Sequence, residues 1–215
     1  MSKVLLLSFP RSANTWIRYC LEHITKVQTC DCKDLPGTPN GTKNPFNADL
    51  NKELKPFIYK EHFAINCDRF DKKNDKLILI LRDYKECLIR HYGVPRLIKN
   101  LDHDLKQYTD NILFFDKWEG EKIIIYYEDI INNFNSTIRK IIAFLDLNSI
   151  NVDEFIKNYE FHKMNGIKSY KVCGHISVTE GKATKHHFKK APIQLLKRMN
   201  KIIIENKINH IQRYK

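Results

Sequence analysis

Three short stretches carry residues whose types and spacing suit chemistry on an anion. In the first, Phe9-Pro10-Arg11-Ser12-Ala13-Asn14-Thr15 separates an apolar run, Lys3 to Ser8, from a segment of helical spacing, Trp16 to Glu22. A strand that feeds a helix through such a turn leaves unsatisfied backbone N–H groups at the positive end of the helix dipole, and Arg11 adds a full charge there. In the second, Lys60-Glu61-His62 stands where an apolar run starting at Pro56 should end. Ligands collect at the carboxyl ends of strands in open α/β sheets, and an imidazole titrates in the range needed to deprotonate an alcohol. In the third, Arg82-Asp83 follows Lys76 to Leu81, the most apolar run in the chain, so that strand, Arg and helix repeat the first arrangement. Each stretch also has a plainer reading: an ordinary turn with a surface Arg, or a strand-end His with a structural hydrogen bond.

The elements that must position these residues follow from periodicity. Lys3–Ser8, Pro56–Lys60, Lys76–Leu81 and Lys122–Tyr127 are short apolar runs without alternation, the pattern of strands covered on both faces. Between them lie helical patterns: Trp16 to Glu22, the run through Cys87, Leu88 and Tyr92, and a longer one from Val94 to Trp118 with Leu97, Leu101, Leu105 and Tyr108 inward. A further helix carries Ile138, Ile141, Ile142 and Leu145 on one face, with Asn133 as its N-cap. Pro192 opens a last helix at its first position, with Leu196, Met199, Ile203 and Ile204 inward. Strands alternating with helices, without internal repeats, predict an α/β fold: a three-layer α/β/α, doubly wound parallel sheet. Thr29 to Lys55, rich in Pro and Gly, reads as a long loop that could shape an acceptor pocket.

At 215 residues, one domain covering 1–215 is expected. The net charge of +12 favours anionic partners such as nucleotides, nucleic acid, anionic lipid or sulfated glycans, although the lysines are spread along the chain rather than blocked. Nucleic acid is disfavoured because the aromatics are not interleaved with a basic stripe. The six Cys lack the paired spacing of a zinc site and are expected reduced. No apolar stretch approaches the roughly 20 residues of a membrane span, and no secretory leader is apparent, so a soluble, cytoplasmic protein is expected. Nothing in the sequence fixes the oligomeric state.

Ser8-Phe9-Pro10-Arg11-Ser12-Ala13-Asn14-Thr15-Trp16 is not a Walker A loop, which needs two glycines and a lysine. It resembles the 5′-phosphosulfate loop of the sulfotransferase family, [ST]-[YF]-P-[KR]-S-G-[NT]-T-W. That resemblance implies a P-loop-NTPase-like sulfotransferase fold and a donor, 3′-phosphoadenosine 5′-phosphosulfate (PAPS), with Arg11, Ser12, Ala13, Asn14, Thr15 and Trp16 around its 5′ end. Ala13 stands where the family usually has Gly. Lys60-Glu61-His62 resembles the family's K-T-H, which makes His62 the base for the acceptor hydroxyl and turns Lys60 and Arg11 toward the transferring group. Arg82-Asp83-Tyr84 resembles the 3′-phosphate segment R-[DN]-P, and Arg90 stands where its Ser belongs. Tyr127-Glu128-Asp129-Ile130 looks like Y-E-D-[LM], whose Tyr lies against adenine, and Glu160 to Met164 like [ST]-F-x-x-M, with Phe161 and Met164 as further adenine contacts. Thr179 to Phe188 occupies the place of the glycine-containing segment that closes over the 3′-phosphate, where Lys182 and Lys185 are the phosphate contacts expected. The Trp of that segment is missing.

The leading expectation is therefore a PAPS-dependent sulfotransferase with a hydroxyl-bearing acceptor (a small molecule, sugar or lipid) and no metal. His186-His187 lacks a third ligand. A catalytically inactive, basic nucleotide- or polyanion-binding protein on the same fold is the alternative, drawn from Ala13, Arg90 and the degraded segment near Gly181. A small-molecule kinase is disfavoured by the missing Walker lysine.

Overall fold

The structure, a computed structural model, describes residues 2–32, 46, 48–172 and 187–214, leaving out the side chains of 167 and 169–172. Five parallel strands, β1 (Val4–Ser8), β2 (Cys30–Asp31), β3 (Ile58–Glu61), β4 (Lys76–Leu81) and β5 (Lys122–Tyr126), form one sheet in the order β2-β3-β1-β4-β5. β1 is central: Val4 to Leu7 pair with Ile58 to Glu61 on one side, and Val4 to Ser8 with Lys76 to Ile80 on the other. The chain leaves β1 for the β2 edge, returns through β3 and crosses to β4. The sheet is therefore wound outward in both directions from β1, and ligands collect at the carboxyl ends of strands flanking such a point.

The absence of alternation in the strand sequences has a direct cause. Leu5, Leu7, Leu77, Leu79 and Leu81 face one core, closed by α2 (Tyr84–Tyr92), α3 (Val94–Asp116) and α8 (Ile193–Glu205). Val4, Leu6, Ile78 and Ile80 face the other, closed by α1 (Asn14–Thr25) and α5 (Phe134–Phe144) together with the short α6 (Asp153–Lys157). Every residue of β1 and β4 is buried, so both faces of these strands call for apolar residues, and only Ser8 and Lys76, at strand ends, are polar. This is the predicted α/β architecture, a parallel sheet between two helix layers.

Several local expectations are corrected. The Thr29–Lys55 stretch is not all loop, because Cys30–Asp31 pair with Tyr59 and Lys60 as the edge strand β2; residues 33–45 and 47 of that stretch lie outside the described residues. β5 is at the other edge, so it is largely half-buried, and it stops at Tyr126; Tyr127 begins α4 (Tyr127–Asn132). α3 is kinked at Asn100, whose φ of −126° is not helical. Asn133 does occupy the N-cap of α5, but its side chain makes no capping bond. Pro192 is the N-cap of α8 rather than its first residue, and the buried face is Leu195, Met199 and Ile203, with Leu196 half-buried and Ile204 exposed. The five described cysteines (Cys20, Cys30, Cys32, Cys67 and Cys87) are all free thiols.

Candidate active site

The loop between β1 and α1 is held from below by its own polar side chains. Asn14 Nδ2 donates to Ser8 Oγ at 3.0 Å and lies 3.4 Å from the Leu6 carbonyl, while Ser12 Oγ meets Cys87 Sγ at 3.3 Å. Both side chains are buried, so of the residues expected around a 5′-phosphosulfate, Ser12 and Asn14 turn inward and brace the loop. What they leave outward is the exposed Arg11 and the start of α1. Ala13, the N-cap, supplies no side-chain acceptor, so the first N–H groups of α1 have no capping side chain and suit an external anion.

Arg11 and Ala13 both sit at positive φ, 74° and 69°. A Cβ in the left-handed region costs on the order of 1–2 kcal/mol, and glycine relieves it at an entropic cost of its own. Ala13→Gly should therefore raise stability by up to about 1 kcal/mol, seen as a higher urea midpoint at unchanged slope. A lower midpoint would show that the Ala13 methyl, which packs with the α1-side core, outweighs the strain. Trp16 faces away from the loop: its indole stacks on Tyr19 at 5.3 Å and touches Phe134 and Tyr159. Against it lies Gly166 of α7 (Tyr159–Val172), where a Cβ would come within 2.8 Å of the ring.

His62 follows β3 and reaches across to the end of β1, where its Nδ1 donates to the Ser8 carbonyl at 2.9 Å. A carbonyl only accepts, so this bond fixes the proton on Nδ1 and leaves Nε2 as the basic nitrogen. Burial, aided by the Lys60 charge, pushes the His62 pKa down to about 4, so the imidazole is neutral at neutral pH. Glu61, where the family has Thr, accepts the His62 backbone N–H at 2.6 Å and fixes the turn. Asn111 of α3 closes that turn from the other side, donating to the His62 carbonyl and accepting from the Ala64 N–H. Lys60 is half-buried, with Nζ 3.5 Å from Asp31, and Arg18 lies 3.7 Å from the same carboxylate.

Arg82, at the end of β4, is 6% exposed. Its Nη1 donates to the Arg11 carbonyl at 2.8 Å, and its guanidinium lies 3.8 Å from the centre of the Tyr127 ring. The Arg82 peptide carbonyl in turn accepts from Tyr108 of α3, so backbone and side chain are both fixed. Arg90 comes to the same place: its Nη1 lies 3.6 Å from the Glu86 carboxylate oxygen that Arg82 Nη2 approaches to 3.7 Å, and burial, then the Arg82 charge, lower its pKa, with Arg11 adding to the effect. Three arginines from two loops and a helix thus converge, with the aromatic face of Tyr127 behind one of them.

Phe161 and Met164 share a face of α7, but it is an exposed one, at 65% and 50% exposure, and so they do not pack as core. Lys182 and Lys185 lie outside the described residues, as does most of the Thr179–Phe188 segment. Among the described residues no group of three or more His, Cys, Asp or Glu is arranged to hold a metal. Sequence reading missed Asp31, the partner of Lys60. It also missed His91, which lies edge-on to Phe9 at 5.6 Å and interacts electrostatically with Arg11 and His62. Glu86 was missed too, although the signal was present: it stands four residues after Arg82, which precedes α2, and four before Arg90 on the helix.

At the carboxyl end of the central parallel strand the fold gathers the uncapped start of α1, three arginines and a neutral imidazole, a set of groups whose chemistry can hold an anion beside a base. No family model matches the chain. The chain is 22% identical over 209 residues to Sulfotransferase 2A6 of Mus musculus, spanning 83% of this chain and 72% of that protein. It is likewise 22% identical over 207 residues to 3-alpha-hydroxysteroid sulfotransferase of Cavia porcellus, spanning 82% and 71%. Among solved structures, mouse sulfotransferase SULT7A1 complexed with PAP matches with a TM-score of 0.66 at 15% identity, over 97% of this chain and 84% of that one. The chain shares the fold of that sulfotransferase structure, and the two curated proteins to which it is similar are sulfotransferases. No described helix is long and apolar enough to cross a membrane.

Proposed function

We propose that this protein is a PAPS-dependent sulfotransferase that moves the sulfuryl group to a hydroxyl-bearing acceptor: a small molecule, sugar or lipid. The observation that carries the reading is the Nδ1 bond of His62 to the Ser8 carbonyl, which presents a neutral imidazole with a basic Nε2 beside the loop that starts α1. The residues present suit the donor. The uncapped start of α1 and Arg11 match a sulfated 5′-phosphate, and Arg82 with Arg90 match a second phosphate through planar, charge-assisted forks.

In this reading His62 Nε2 takes the proton of the acceptor hydroxyl as its oxygen forms a bond to sulfur. The bond from sulfur to the 5′-phosphate oxygen breaks in line, and 3′-phosphoadenosine 5′-phosphate (PAP) carries away the electron pair. Arg11 and Lys60 neutralise charge growing on the sulfuryl oxygens and on the leaving oxygen. Asp31 holds the Lys60 ammonium in place by an ion pair. Positioning and preorganised cations would supply most of the rate. Tyr127 supports Arg82 from one face and, with the exposed Phe161 and Met164, is available to the adenine ring.

A calorimetric titration with PAP, run beside 5′-AMP and ATP, tests the donor class. Tight binding that needs the 3′-phosphate is the expected result. Preference for ATP, or no binding, would return the kinase or the polyanion-binding alternative.

A further inference from the structure

One buried group in this region has no part in the mechanism above. Glu86, on α2, has a side chain only 3% exposed, yet it carries a carboxylate, and a buried charge is tolerated only when its partners compensate the lost hydration. Its partners are of two kinds, near neighbours in sequence and residues from the far C-terminal part of the chain. Oε1 is 3.0 Å from His187 Nδ1, and Oε2 accepts the Phe188 backbone N–H at 3.2 Å, a separation of 101 and 102 residues. Arg82 Nη2 and Arg90 Nη1 lie 3.7 and 3.6 Å from the same carboxylate.

The two kinds of contact differ in what they do. Those to His187 and Phe188 are of hydrogen-bond length and fix the turn His187–Lys190 to α2, with Lys85 Nζ over the Phe188 ring at 5.5 Å as a second tie. Those to the arginines exceed hydrogen-bond length, so they act by Coulomb attraction and do not spend a guanidinium N–H on Glu86. Arg82 is further oriented by the Arg11 carbonyl and the Tyr127 ring. The carboxylate therefore aligns two mutually repelling arginines while leaving them an excess of positive charge. It also brings up a turn that carries the exposed Lys189 and Lys190.

We propose that Glu86 is the positioning residue of the 3′-phosphate pocket: its buried carboxylate clamps Arg82, Arg90 and the His187–Lys190 turn into one cationic recess that receives a nucleotide 3′-phosphate. This rests on the donor reading above. Glu86 does not touch the reacting atoms, so its removal should act on nucleotide discrimination and not on nucleotide binding in general.

The test compares wild type, Glu86→Gln, Glu86→Asp and His187→Ala by calorimetry with PAP and with 5′-AMP, alongside thermal unfolding of each protein. Glu86→Gln should weaken PAP at least about tenfold while 5′-AMP changes less than about twofold, the pattern of one lost phosphate contact set. His187→Ala should lose part of the same preference, and the double variant should lose no more than Glu86→Gln alone, because both act through one clamp. Unchanged or tighter PAP binding by Glu86→Gln would overturn the proposal, the tighter case meaning that the carboxylate opposes the phosphate. Equal losses for both nucleotides would overturn it as well, by showing a general structural role. Should Glu86→Gln fail to fold, Glu86→Asp and His187→Ala decide on the same criterion. A wild type with no preference for PAP over 5′-AMP would overturn the donor reading, and this proposal with it; a wild-type preference left intact in the variants would overturn this proposal alone.

Discussion

Replacing His62 with alanine is expected to lower turnover by roughly 10²–10⁴-fold, the usual worth of a positioned general base, with PAP affinity nearly intact. The split arises from placement. His62 is held by the Ser8 carbonyl at the end of β1, whereas the arginines that suit the phosphates are fixed by other partners: the Arg11 carbonyl, Tyr127 and Glu86. The pH dependence sharpens the test. Burial and the Lys60 charge push the His62 pKa down to about 4, and the base must be neutral to work. The depressed value means the neutral form prevails above about pH 4, so kcat/KM should stay level as pH falls from 7 to about 5 and drop only nearer 4. Lys60→Met removes one of the charges that oppose the imidazolium and should move that acid limb upward. A bound donor adds negative charge beside His62, so the limb in kcat should lie above the limb in kcat/KM. Retained turnover in His62→Ala would remove this residue as the base, and a wild-type kcat/KM limb at the ordinary imidazole value would show that the ring titrates in solvent.

The strands of this protein were legible because burial on both faces is written directly into composition. Val4 to Leu7 and Leu77 to Leu81 lack alternation since odd and even positions serve two different cores. The strand-to-helix loop was legible for a different reason: Pro10, Arg11 and the small residues after them have few other uses between an apolar run and a helix. What sequence could not give was direction. Ser12 and Asn14 carry polar groups that could meet a phosphate, yet each found a buried partner below the loop, a matter of side-chain rotation that spacing does not encode. The same limit applies to Phe161 and Met164, which share a helix face that periodicity cannot orient and that proves exposed. β2 escaped notice because two residues in a Pro-rich stretch carry no periodicity, and its pairing depends on β3 being there to receive it. In α8 the inward positions Met199 and Ile203 were legible, but the stripe extends back to Leu195, four residues before Met199, in place of Leu196, and leaves Ile204 exposed. Glu86 was visible in spacing alone, but its use depended on His187 arriving from the far end of the chain.

Arg82→Ala should cost about 2–5 kcal/mol of PAP affinity, roughly 30-fold to a few thousand-fold, with little change for nucleotides that lack the 3′-phosphate. The size follows from burial. At 6% exposure the guanidinium has lost most of its water, and a phosphate that replaces that water gains charge-assisted bonds in a medium that screens poorly. Alanine would also leave Glu86 without one of its two arginine neighbours, and the Arg11 carbonyl would lose its donor, so a simple truncation mixes lost binding with disturbed packing. Arg82→Lys separates the two contributions, since the ammonium keeps the charge near Glu86 but cannot form the planar fork or lie flat on Tyr127. A lysine variant with normal unfolding and weakened PAP binding would locate the effect in the fork. A lysine variant that binds PAP as wild type does would reduce the role of Arg82 to charge alone, and equal losses for PAP and 5′-AMP in both variants would contradict a dedicated 3′-phosphate contact at this position. The stacking on Tyr127 makes the first outcome the expected one, because a ring 3.8 Å from the guanidinium holds its plane, and only a planar donor set has an orientation to be held.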